Sequence, residues 1–138
     1  MSAPLRHQAF PSTPASAGDA RRFVDSVLCD ADLADLAYTA TMLVSELVAN
    51  AVLHTGTPVE VVVRAGGDWV RVEVHDGSQV LPVRKNYSNL SGTGRGLMLV
   101  ERMAAHWGAE GTAGGKVVWF ELDPSTTPII DILGVDAL

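Results

Sequence analysis

The chain has a single cysteine, Cys29, so no disulfide can close within it. Its thiol reads as a core residue in a reducing compartment, with a nucleophile as the remote alternative. Charge is also scarce, at 19% of 138 residues, and the 10 Lys and Arg are outnumbered by 16 Asp and Glu. The resulting net charge of −6 argues against a general electrostatic grip on nucleic acid or on an anionic membrane, while leaving room for a local basic patch. The N-terminus lacks the apolar centre of a signal peptide, and no run reaches the roughly 18 apolar residues of a membrane span. The expectation is a cytoplasmic protein without membrane contact. Internal repeats are absent, no His/Cys cluster has zinc spacing, and His7, His75 and His106 read as incidental. With 47% hydrophobic residues, the chain should nonetheless fold, and its length suits one domain with a real core.

The organising stretch runs from Leu43 to Thr55. At 100° per residue, Leu36, Ala40, Leu43, Leu47 and Ala51 form one helical stripe. Glu46 and Asn50 lie one turn apart along its edge, and His54 follows at the same spacing. Such an edge is either a solvated face or the rim of a cleft. In a cleft, each buried polar group needs a partner, since leaving one unpaired costs about 1–3 kcal/mol.

Ahead of this helix, residues 1–17 are rich in Pro, Ser and Ala, and the N-terminal segment, 1–15, carries an edge strand expected at Leu5–Phe10 between two prolines. A helix is expected over 16–29, capped by Ser16 with Asp19 and carrying an apolar stripe of Ala20, Phe23, Val24, Val27 and Leu28. The central helix should run from Leu33 to Leu53 and end at Gly56-Thr57-Pro58.

A hairpin follows, with strands 59–64 and 69–76 around Ala65-Gly66-Gly67-Asp68. Alternation puts Val70, Val72, Val74 and Asp76 on one face, so a carboxylate ends an apolar row. It either binds the next turn or awaits a ligand. Residues 77–91 show no periodicity, as a functional lid or a disordered segment would. Gly92-Thr93-Gly94-Arg95-Gly96 then opens a helix in which Leu97, Val100, Ala104 and Trp107 keep helical spacing. Glycines at a helix start let the backbone approach an anion, and the exposed N–H groups favour phosphate. The pattern is neither a P-loop nor G-x-G-x-x-G. Two closing strands, 108–112 and 116–122, are joined by Ala113-Gly114-Gly115. Residues 124–138 form a tail.

Taken in order, Glu46-x3-Asn50 on a helix, Asp76 at a strand end, a lid and Gly92-x-Gly94-x-Gly96 at a helix start resemble the ATP-binding domain shared by gyrases and histidine kinases, the GHKL (Bergerat) type. Within it, the likeness is greatest to the bacterial serine/threonine-kinase anti-sigma factors. Ser45-Glu46-Leu47-Val48-Ala49-Asn50-Ala51 with His54 looks like their first box. Val74-His75-Asp76-Gly77-Ser78 looks like the second, and Gly94-Arg95-Gly96-Leu97 with Val100 like the third. The likeness spans residues 16–123.

The resemblance implies an α+β fold, a two-layer α/β sandwich with helices on one face of a mixed, largely antiparallel sheet. It implies ATP and Mg²⁺ as cofactors, with Asn50 holding the metal and Glu46 as general base toward an attacking hydroxyl. Asp76 would accept from the adenine amino group. Ser78, His54, Gly92, Thr93, Gly94, Arg95, Gly96 and Leu97 would complete the nucleotide site. The implied partners are an anti-sigma antagonist protein, as phosphoryl acceptor, and a sigma factor, with a homodimer as a further assembly and no direct nucleic-acid contact. One departure stands out: the family's second box often continues through glycines, whereas here Ser78-Gln79 and Leu81-Pro82 follow Asp76-Gly77. The alternatives are a nucleotide-binding module that acts by surface contact alone, a detached histidine-kinase catalytic domain, and a gyrase-type ATP hydrolase.

Overall fold

Valine-rich strands alternate inward and outward residues, and that alternation fixes where the helices lie. The computed structural model describes residues 5–78 and 92–125, with 92–95 as backbone. Five strands, β1 (Leu5–Phe10), β2 (Val59–Ala65), β3 (Val70–Asp76), β4 (His106–Thr112) and β5 (Gly115–Leu122), form one sheet in the order β1-β2-β3-β5-β4. All four pairings are antiparallel, so the sheet expected to be largely antiparallel is antiparallel throughout the described residues.

Helices α1 (Ser16–Asp30), α2 (Ala34–Thr55) and α3 (Gly92–Met103) contribute to a single core with the sheet. Val61, Val63, Val72, Val74, Val118 and Phe120 are buried with Val24 and Leu28 of α1, Leu43, Leu47 and Val48 of α2, and Val100 of α3. The intervening residues Arg71, Glu73, His75, Trp119 and Glu121 are only partly buried and lie on the opposite face, giving a two-layer α+β sandwich. Each fully buried Val or Leu contributes on the order of 1.5–3 kcal/mol, an upper value because unfolded chains already bury some surface.

The stripe expected on α2 is the one that packs: Ala40, Leu43, Leu47 and Ala51 are buried, and Val44 and Val48 widen it. This 22-residue helix has a window hydropathy of 1.5, long and apolar enough by composition to cross a membrane, which the count of uninterrupted apolar residues did not register. Its apolar face is used here against α1 and the sheet. Gly56, at φ 66°, ends it in the left-handed conformation that glycine adopts at low cost.

Several local expectations are corrected. Ser16 does not cap α1; it is wholly buried, and its hydroxyl donates to the Pro11 carbonyl at 2.5 Å, fixing the turn ahead of the helix. Cys29 is exposed rather than in the core, because it falls off the inward stripe of Val24, Val27 and Leu28. Trp107 belongs to β4 and not to α3. The helix ends at Met103, the Ala105 N–H donates to the Glu121 carbonyl at 2.8 Å, and Trp107 pairs with Phe120. An apolar residue at helical spacing also fits the inward row of an adjoining strand, which is why the spacing misled. The strand at the N-terminus forms as expected, anchored by Phe10 against Phe23 at 6.2 Å between ring centroids and by Arg6 paired with Asp30 at 2.5 Å.

Candidate nucleotide site

Three segments converge at one end of the sheet. From β3 comes Asp76, which terminates the inward row of Val70, Val72 and Val74 and has a side chain only 4% exposed. Its Oδ1 accepts the Ser78 backbone N–H at 2.8 Å, a local turn that the sequence left as one of two options. The carboxylate also has an ion-pair partner. Lys116 Nζ lies 3.0 Å from Oδ2 and 3.2 Å from Oδ1. Asp76 and Lys116 are direct cross-strand neighbours in the β3–β5 register.

From α2 come Glu46 and Asn50, both partly buried on the edge of the packed stripe, and His54, exposed in the last turn. From α3 comes the glycine series. Gly92, Thr93, Gly94 and Arg95 form the opening turn of α3 itself rather than a loop ahead of it. Their backbone N–H groups are the ones an α-helix leaves without acceptors of its own, at the positive end of its dipole. Gly96 is packed against α2: a Cβ there would stand 2.3 Å from Asn50 Nδ2 and 3.6 Å from the Glu46 Cβ. Leu97 points into the core at 4% exposure, so it is a packing residue that sets the glycines' position.

The α2 end and the β3 end are tied by hydroxyls. The Gly77 N–H donates to Thr57 Oγ1 at 2.9 Å, Thr57 Oγ1 lies 2.8 Å from Thr55 Oγ1, and Thr55 donates to the Ala51 carbonyl at 2.8 Å. Gly115, at φ 155°, passes so close to β3 that a Cβ would sit 1.9 Å from the Asp76 carbonyl oxygen. Thus Glu46, Asn50 and Gly96 come together, Asp76 and Ser78 form a second group at the strand end, and His54 stands at the exposed end of α2. The expected lid, 77–91, lies outside the described residues beyond Ser78.

Sequence reading missed Lys116 and Thr57. For Lys116, a signal was present: Lys116, Val118, Phe120 and Leu122 alternate on one face, and all three apolar members are buried. A lysine opening such a row parallels the aspartate that closes the neighbouring one. Thr57 gave no such signal, because its hydroxyl is used by a backbone N–H twenty residues away.

The open face of the sheet carries its own charge network. His75 Nε2 meets Glu73 Oε1 at 2.8 Å, Arg71 Nε donates to Glu73 Oε2 at 2.9 Å, and Arg71 reaches Glu121 at 3.0 Å. The Arg71 guanidinium also lies 4.0 Å from the Trp119 ring centroid, in cation–π range. Burial alone would raise the Glu73 carboxyl, but the Arg71 and His75 hydrogen bonds outweigh it and hold it below its ordinary value. Burial opposes the charge on Arg71 too, but its two carboxylate partners, Glu73 and Glu121, outweigh it and hold the guanidinium above its usual value.

Asn50 offers one amide oxygen, and the described residues hold no group of three or more His, Cys, Asp and Glu arranged for a metal. That donor set fits a hard cation held chiefly by phosphates and water, with one protein oxygen. A carboxylate at the inner end of a central strand and a glycine-opened helix packed on a Glu/Asn helix edge are thus held on one two-layer α+β domain. Residues 10–122 match the histidine kinase-like ATPase domain, and the chain belongs to that family. ATP binding in a regulatory setting, and ATP-dependent phosphoryl transfer or hydrolysis in general, come with that membership. No curated protein matches the chain.

Proposed function

We propose that the protein is an ATP-dependent serine/threonine protein kinase of the anti-sigma-factor kind, which phosphorylates a small antagonist protein and sequesters a sigma factor. The observation that carries this reading is the seating of Gly96 against Asn50 with Glu46 one helical turn earlier. It brings a phosphate-approach backbone, a metal-suited amide and a carboxylate to one place. Asn50 would hold Mg²⁺, whose charge offsets that of the phosphates. The opening turn of α3 directs N–H groups toward the phosphoryl oxygens. Asp76 takes the adenine amino group at the other end.

In the reaction, the oxygen of a serine or threonine hydroxyl forms a bond to the γ-phosphorus as the bond to the β–γ bridging oxygen breaks. Glu46 accepts the hydroxyl proton and ADP leaves. The transfer depends mainly on alignment and charge stabilisation. A carboxylate base suits a hydroxyl acceptor better than an imidazole, which favours this reading over a histidine-kinase catalytic domain. The net charge of −6 favours protein partners over direct nucleic-acid contact, in a cytoplasmic setting.

The test is Glu46→Gln, which keeps the shape and removes the base. The variant should bind ATP as the parent does and transfer phosphate to the antagonist about 10²–10⁴-fold more slowly. Equal rates would clear Glu46. A parent protein that binds ATP yet phosphorylates no candidate antagonist would establish the second reading, a nucleotide-binding module that acts by surface contact.

A further inference from the structure

The end of the sheet beside Asp76 holds a cation that none of the three motifs contains. Lys116 opens the inward row of β5, pairs in register with Asp76 on one side and Gly111 on the other, and keeps only 12% of its side chain exposed. Burying an ammonium so far is costly without a partner. Its contacts at 3.0 and 3.2 Å with the two Asp76 oxygens supply one. Two of the three ammonium N–H groups suffice for these contacts, and among the described residues the third is left to donate. The carboxylate in turn has about four acceptor positions. Ser78 N–H and the two lysine contacts engage three of these, so an acceptor and a donor stand side by side on the helix-covered face.

Adenine presents the complementary edge. Its exocyclic amino group donates, and a ring nitrogen on either flank accepts. We propose that Lys116 is a second base-recognition residue: Asp76 accepts from the amino group while Lys116 donates to the adjacent ring nitrogen, N1 or N7. This rests on the ATP-binding reading above and extends base recognition from one polar side chain to two. The ion pair orients the carboxylate before the base arrives. It also keeps the lysine from leaving an unpaired carboxylate buried in the nucleotide-free protein.

The experiment is a cycle between Lys116 and the base. Calorimetry with ATP, 1-deaza-ATP and 7-deaza-ATP is run on the wild type, Lys116→Met and Lys116→Gln. Urea unfolding confirms that each variant folds, and Lys116→Gln, which keeps an N–H donor, is read where Lys116→Met does not. The expected result is an ATP affinity about 10–100-fold weaker in Lys116→Met, the range for losing a hydrogen bond from a charged donor, with partial recovery in Lys116→Gln. One of the two deaza analogues should bind the wild type at least about tenfold more weakly than ATP, and that difference should vanish in Lys116→Met. A merely structural lysine would leave the deaza penalty unchanged, which overturns the proposal. So does a variant that binds ATP as tightly as the wild type or tighter, since Lys116 would then compete with the base. Wild-type protein that binds no ATP defeats the underlying nucleotide reading instead, and the two failures are told apart by that control.

Discussion

The Thr57 hydroxyl accepts the Gly77 N–H at 2.9 Å, which joins the segment after α2 to the segment after β3. Because Thr55 gives its only hydroxyl proton to the Ala51 carbonyl, the short Thr55–Thr57 contact requires Thr57 to donate to Thr55. The chain therefore runs in one direction, from the Gly77 amide through two hydroxyls to a helix carbonyl. It ties the helix that carries Glu46 and Asn50 to the strand end that carries Asp76.

Thr57→Val keeps the shape and cuts this chain. Gly77 is exposed enough for water to replace the lost acceptor, so stability should fall by only about 1 kcal/mol. Nucleotide affinity should fall with it, because Asp76 loses its tie to α2. Urea unfolding and calorimetry on the same variant check both. Unchanged affinity would show that the chain is purely structural.

Gly96→Ala should move stability and binding in opposite directions. Alanine is favoured over glycine inside a helix by about 1 kcal/mol, and the atom it meets first is the terminal nitrogen of a side chain that can turn aside. Turning Asn50 aside takes its amide out of the site. The fold should hold or gain stability, while Mg²⁺-dependent ATP affinity falls tenfold or more. Thermal unfolding alongside Mg·ATP titration reads both signs.

Gly115→Ala drives a Cβ into the backbone at the end of β3. The new Cβ would stand 1.9 Å from the Asp76 oxygen and 2.7 Å from the Gly77 Cα, at a φ of 155°. Relief requires β5 to move away from β3, so a loss of about 3 kcal/mol or more is expected in denaturant unfolding.

Glu73 makes acid stability depend on the open face. Its carboxyl is held below its ordinary value by Arg71 and His75 against the opposing effect of burial. A depressed carboxyl contributes stability that is complete above its unfolded value, about pH 4.3, and disappears as pH falls through its folded value. The difference in stability between wild type and Glu73→Gln should therefore shrink as pH falls below about 5. Unfolding curves over that range test the sign. A difference that grows toward acid would contradict the network.

The parts legible in sequence were those governed by short periods. The α2 stripe, the inward row ending at Asp76, and the Glu46–Asn50 spacing each depend on residues within a turn or two of one another. What escaped depends on tertiary register. The Lys116–Asp76 pair spans forty positions and exists because β5 lies beside β3 rather than beside β2. The boundary between α3 and β4 escaped because Trp107 satisfies both a helical and an inward-strand pattern. Ser16 had the chemistry of a cap, but the helix starts one residue earlier than a Ser16 cap needs: Ala15 is the N-cap, and the Ser16 hydroxyl turns back to donate to the Pro11 carbonyl.

Cys29 lies exposed in the last turn of α1, and it is the only thiol in the sequence. A maleimide dye would thus attach at one defined position, on a helix that supplies none of the nucleotide-site side chains. Emission from that dye could follow partner association without a probe in the cleft. The same thiol can join two chains when the buffer is oxidising, so a dimer band lost on adding reductant reports oxidation at α1 rather than native assembly.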